Sequence, residues 1–199
     1  MITNTDEKRL QRSMSTNGGY VNSFFQILSR HGLVMGVFLL VLTCAANSVG
    51  DVTWRLTAFV NSPLNYAAPV LGILLSFVFV LRIKGYRFDL RQSYWITYLF
   101  FISVIEELAF RLILPSLLAG FLGVLVAIIV SNIFFATIHF FTLRWKLTNC
   151  IFVFLGGLGL SRLLGNTDDL ALVILVHWFF TFLNTPTSPS RQAQAVVSE

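Results

Sequence analysis

Charge is what this sequence has least of. Only 12% of its 199 residues are Asp, Glu, Lys or Arg, against roughly 25% in a globular domain whose surface must be wetted by water. That shortage excludes an ordinary soluble domain. Cysteine is scarce too: Cys44 and Cys150 are the only two, each inside an apolar run, which excludes a disulfide framework and a cysteine-rich metal site. No long internal repeat is present, and low complexity is confined to the terminal TPTSPSRQAQAVVSE. The net charge of +5 is spread in short clusters between apolar runs instead of gathering on one face, which speaks against a nucleic-acid partner. What the chain has instead is apolar surface: 56% hydrophobic residues, 20 of them Phe, and a mean hydropathy of +0.77. Lipid is its solvent.

A helix crossing the hydrocarbon needs about 20 mostly apolar residues. Six stretches come close, at 33–49, 66–83, 94–118, 121–141, 147–164 and 170–184, so the expected fold is an all-α, polytopic membrane helix bundle of about six transmembrane helices. Residues 1–30 read as a polar, basic cytoplasmic tail and not as a cleavable leader, 31–185 as a single helical domain, and 186–199 as a polar C-terminal tail. With both termini in the cytoplasm, eleven of the 14 basic residues fall inside and two, Arg55 and Arg162, outside, the asymmetry that sets membrane orientation. The fourteenth, Arg111, lies within a span.

Charged side chains in a bilayer require a partner or a wet cavity, because each costs about 2.5–3.5 kcal/mol at the centre of a helix on insertion scales. Here the intramembrane titratable groups are Glu106, Glu107, Arg111, His139 and His177, with His31 placed at the membrane edge. Glu107 and Arg111 are four apart and can pair on one helix face. Glu106 points about 100° away from Glu107, which leaves it facing a cavity as the candidate base. The same three residues would serve equally as an interhelical ion-pair lock. Phe135 lies one turn before His139 and can fix its ring, and Asn132 two turns before it. Thr181 and Asn184 continue a polar column beyond His177. Runs such as Gly156-Gly157-Leu-Gly159 permit close helix approach.

These residues, in this order, resemble the CAAX-protease and bacteriocin-processing (Abi) family of intramembrane proteases. Glu106-Glu107-Leu-Ala-Phe-Arg111 matches its EExxxR motif, and Phe135-Ala-Thr-Ile-His139 its FxxxH motif. In the third motif His177 is in place, but Thr181 stands where the family has asparagine, with Asn184 a turn further on. The resemblance implies a glutamic-type endopeptidase. Glu106 and His139 would activate water, His177 with Thr181 or Asn184 would stabilise the oxyanion, and Glu107, Arg111, Phe135 and Asn132 would support them. It implies no cofactor; zinc, held by the two acids and two histidines, is the less favoured alternative. The implied partners are the lipid bilayer and a membrane-anchored or lipid-modified protein or peptide substrate, and the implied setting is a prokaryotic plasma (inner) membrane. Two other classes fit the same residues: a proton-coupled transporter or relay, and a non-catalytic scaffold or immunity protein with this fold.

One geometric tension accompanies this reading. Counted from Tyr94, Glu106 lies about 18 Å along its helix, whereas His139 sits near the cytoplasmic end of its own, a mismatch of about 10 Å. A helix that starts below the membrane and is broken at its far end by Pro115 would remove it.

Overall fold

The computed structural model describes residues 10, 11, 21, 23–49 and 52–188, side chains at 48 and 49 excepted. Among these residues there are seven helices and no strand. Helix α1 covers residues 24–49, and α2 is the short Thr57–Asn61. A 3-10 turn, Pro63–Tyr66, leads into α3, Ala67–Ile83. Helix α4 covers 90–122, followed by α5, Val124–Thr142; α6, Leu147–Thr167; and α7, Leu170–Asn184. Among the described residues, four stretches are long and apolar enough to cross a membrane: Phe24–Asn47, Pro63–Ile83, Val124–Thr142 and Leu147–Thr167. Helix α4 is the longest but carries Glu106, Glu107 and Arg111 mid-length, and α7 is apolar with 15 residues. The chain is a multi-pass membrane protein.

Its surface supports this. Val37, Leu40, Leu71, Phe79, Leu125 and Phe152 are each more than half exposed, a belt far larger than a soluble monomer leaves in water. Two apolar clusters pack inside it, one around Met35, Phe110, Leu112 and Val173, the other around Phe77, Trp95, Trp178 and Phe182.

Local chemistry sets the helix boundaries. Ser23 Oγ accepts from Gln26 N at 3.2 Å and starts α1 at Phe24; the helix therefore begins within the stretch that sequence assigns to a polar tail. Asp89 and Asp169 cap α4 and α7 in the same way, satisfying donors that the helix itself cannot pair. Gly123, at φ +77°, makes the turn from α4 to α5, where a side chain would be strained; the break falls there and not between 118 and 121, where the expected spans divide.

Pro115 does not break α4. The helix runs through it to Leu122, preceded by the π-helical stretch Leu108–Ile113, in which Leu114 N–H donates to Ala109 O five residues back. The next carbonyl in that pattern is that of Phe110, and Pro115 has no N–H to offer it. Ser131 Oγ on α5 donates to it instead, at 2.7 Å, so a backbone group that would be orphaned in an apolar interior is satisfied by a neighbouring helix. Helix α4 also starts earlier than sequence suggests, at Leu90, in a stretch containing Arg91, Gln92 and Ser93. Distance along it is therefore no measure of depth, and Glu106 meets His139 without difficulty.

Candidate active site

Glu106 is buried, and three imidazoles converge on its carboxylate. His31 Nε2 lies 2.8 Å from Oε1, His139 Nε2 lies 3.7 Å from Oε1, and His177 Nε2 lies 3.5 Å from Oε2. The rings come from α1, α5 and α7, so the carboxylate of α4 is where four helices meet. The group lines a cavity of about 690 Å³ whose walls include Tyr98, Phe135, Gly156 and Thr181.

Each ring is turned the same way, with Nδ1 held by an outer partner and Nε2 facing the acid. His139 Nδ1 donates to the Phe135 carbonyl at 2.8 Å. His177 Nδ1 is in ion-pair contact with Glu107 Oε1 at 2.6 Å. His31 Nδ1 lies 2.7 Å from Thr142 Oγ1, and the single proton of that hydroxyl is committed to the Ile138 carbonyl at 2.7 Å. Thr142 must therefore accept, and His31 Nδ1 must donate. It follows that the 2.8 Å contact between His31 Nε2 and Glu106 Oε1 contains a proton, held either by the imidazole or by the acid. His139 and His177 stand further off, at separations that a water molecule can bridge.

On the other side of α4 the surroundings are dry. Arg111 Nε lies 3.3 Å from Glu107 Oε2, with both side chains fully buried, and the guanidinium sits 4.2 Å above the Phe135 ring. Its Nε, Nη1 and Nη2 donate no hydrogen bond to the described residues; the Glu107 carboxylate and the ring meet the charge. Phe135 packs edge-on against His139, with centroids 4.6 Å apart, so one phenyl group steadies both the arginine and the imidazole. Asn132 donates to the Ile128 carbonyl and to Ser161 Oγ on α6. Gly157 on α6 makes room for this layer: a Cβ there would collide with Asn132 Oδ1 and lie 3.0 Å from Arg111 Nη2.

The structure thus brings Glu106, His139 and His177 together, with Glu107, Arg111 and Phe135 packed behind them. Thr181 lines the same cavity one turn beyond His177, whereas Asn184 lines it from an exposed position at the end of α7. Asn132 belongs to the dry layer and not to the cavity. His31, assigned by sequence to the membrane edge, is the residue that reasoning missed: it is 3% exposed and makes the shortest contact with Glu106. A signal was available. Ser23-Phe-Phe-Gln26 has the spacing of a capping box, and starting the first helix there would have carried His31 two turns inside it. One nitrogen each of His31 and His139 and one oxygen of Glu106 also lie within 4.8 Å of one another, a His₂Glu donor set of a kind that zinc accepts.

No curated protein and no solved structure matches the chain. Residues 91–183 match the family model described as type II CAAX prenyl endopeptidase Rce1-like. The match runs from α4 through α7 and contains Glu106, Glu107, Arg111, Phe135, His139, His177 and Thr181, but neither His31 nor Asn184. With its EExxxR and FxxxH residues assembled around one buried carboxylate, the matched region is similar to the Rce1-like CAAX endopeptidases.

Proposed function

We propose that this protein is an intramembrane endopeptidase that hydrolyses a peptide bond in a membrane-anchored or lipid-modified protein or peptide. The observation that carries this reading is the convergence of three imidazole Nε2 atoms on Glu106 within 3.7 Å. In the proposed reaction a water between Glu106 and His139 gives up a proton to them as its oxygen attacks the substrate carbonyl. The C–N bond then breaks, and the leaving amine takes that proton. His31, bonded to both Thr142 and Glu106, fixes the carboxylate and shares its proton. His177 donates from Nε2 to the oxyanion when its ring carries both protons, with Glu107 Oε1 against Nδ1 at 2.6 Å. Thr181, on the same helix face, would add a second donor, and preorganised donors of this type are each worth about 10²–10³ in rate.

The distribution of basic residues supports both termini in the cytoplasm, and the family resemblance supports a prokaryotic plasma (inner) membrane as the setting. The test is cleavage of an internally quenched peptide ending in a farnesylated CAAX sequence by purified protein in detergent. Wild type should turn over while Glu106→Ala and Glu106→Gln, purified to equal amounts, should not; equal product from all three would sink the proposal. A metal-assisted reading is favoured by one observation, the outward donation of Nδ1 by both His31 and His139, as zinc-ligating histidines do. In it His31, His139 and Glu106 would hold zinc, and the ion would polarise the attacking water. A strong chelator decides between the two: an unchanged rate leaves the carboxylate mechanism, and a loss restored by zinc replaces it.

A further inference from the structure

The turn between α5 and α6 carries a second feature of the cavity. Arg144 adopts a left-handed conformation, φ +56°, which turns the chain so that Trp145 forms an antiparallel bridge with Gln11 from the N-terminal segment. The carbonyl of Leu10 is held by two donors, Lys146 N–H at 2.8 Å and Asn149 Nδ2 at 2.8 Å. Gln11 extends the pairing through its side chain, with Oε1 accepting from Val21 N at 2.9 Å. Leu10, Gln11 and Val21 line the same cavity as Glu106 and His139, and the Trp145 ring sits 5.1 Å from His139. Leu10 and Gln11 therefore already lie against the wall of the candidate active site, Leu10 gripped by its main-chain carbonyl and Gln11 paired with Trp145.

Gripping of this kind is indifferent to side-chain identity, because N–H and C=O groups are the same in every peptide; adding a strand to an exposed edge is a general mode of peptide recognition. A protease that must hold an extended peptide beside its base needs such an edge, and here one stands next to His139. We propose that the 143–146 turn, with Asn149, is the edge on which the substrate main chain docks in extended form, and that Leu10 and Gln11 occupy it until substrate displaces them. This rests on the endopeptidase reading for the identity of the occupant, while the competition itself can be measured without any cleavage.

Directly opposed residues of an antiparallel pair have Cβ atoms close enough for a disulfide. The test places Gln11→Cys and Trp145→Cys in full-length protein whose Cys44 and Cys150 are replaced by Ala. Oxidation should lock the segment in place and lower turnover of the farnesylated CAAX peptide at least tenfold, with full recovery on reduction; the Cys-free parent should ignore both reagents. A locked enzyme, its disulfide confirmed by mass, that turns over as fast as the reduced one overturns the proposal. To separate the edge from any direct effect of losing Trp145 on cleavage, a second measurement adds Glu106→Gln to the same background and follows the rate of disulfide formation. The peptide should slow cross-linking at least threefold if both compete for the edge. An unchanged rate at saturating peptide overturns the docking edge, whether or not the protein is a protease.

Discussion

On one side of α4, Glu106 opens onto a cavity and three imidazoles; about 100° around the same helix, Glu107 faces the His177 Nδ1 and a buried guanidinium that itself sits over a phenyl ring. Two acids adjacent in sequence are thereby given different work. The first has a shared proton, approachable nitrogens and room for water. The second has a permanent counter-charge and no room. What separates them is the partner each helix face finds: histidines carried by α1, α5 and α7 on the cavity side, and Arg111 from the next turn of α4 itself on the dry side.

The comparison is broken most sharply by exchanging each acid for its amide. Glu106→Gln keeps the shape and a hydrogen-bonding group but removes the proposed base, so turnover should fall by about 10⁴, the upper range for a positioned general base, with thermal stability in detergent nearly unchanged. Glu107→Gln should do the reverse to stability: Arg111 is left as a buried charge without its partner, a loss of about 3–5 kcal/mol, read as a lowered Tm. Replacing both Glu107 and Arg111 by Leu should recover most of that stability, because neither charge is then stranded. If Glu106→Gln unfolds the protein and Glu107→Gln leaves it intact, the division of labour between the two faces is wrong.

Next in size is His31. Its removal should lower turnover by about 10²-fold, the lower range for a proton-handling group, with kcat falling and KM little changed. Thr142→Val, which removes the acceptor for Nδ1 without touching Glu106, should reproduce part of that loss. A normal kcat in both variants would reduce His31 to packing.

How far the sequence reveals this division can be traced residue by residue. The helices were legible because a bilayer imposes long apolar runs, and five of the six expected spans coincide with helices to within a few residues at their starts. Glu107 with Arg111 was legible because i and i+4 share a helix face. Glu106, His139 and His177 were legible because intramembrane ionisable groups are too costly to be idle. His31 was not, since its helix begins with Phe24, Phe25 and the polar Gln26, Ser29 and Arg30, a mixture that hydropathy does not recognise but the Ser23 cap does. Passage of α4 through Pro115 was illegible for a different reason: the compensation comes from Ser131, 21 residues away, and no local pattern announces it. The Asn132 side chain turned to the dry layer because Ser161 and a bare Gly157 offered it a place there, a fact of packing between helices.

That last pairing yields the finest test. Gly157 and Gly156 are adjacent on α6, yet a methyl group at Gly157 would strike Asn132 Oδ1 and crowd Arg111, whereas one at Gly156 or Gly159 meets nothing within 4 Å. In a helix interior Ala is favoured over Gly by about 0.8–1.0 kcal/mol, so Gly159→Ala and Gly156→Ala should stabilise the protein slightly. Gly157→Ala should lose that gain and more, since overpacking a close-packed site costs about 1–3 kcal/mol. The sign of the change should therefore reverse between neighbouring residues, measurable as Tm shifts in opposite directions. Asn132→Ala together with Gly157→Ala should relieve much of the clash. If Gly157→Ala proves as harmless as Gly159→Ala, the tight layer behind Glu107 is looser than the geometry implies, and the contrast between a wet and a dry face of α4 loses its packing basis.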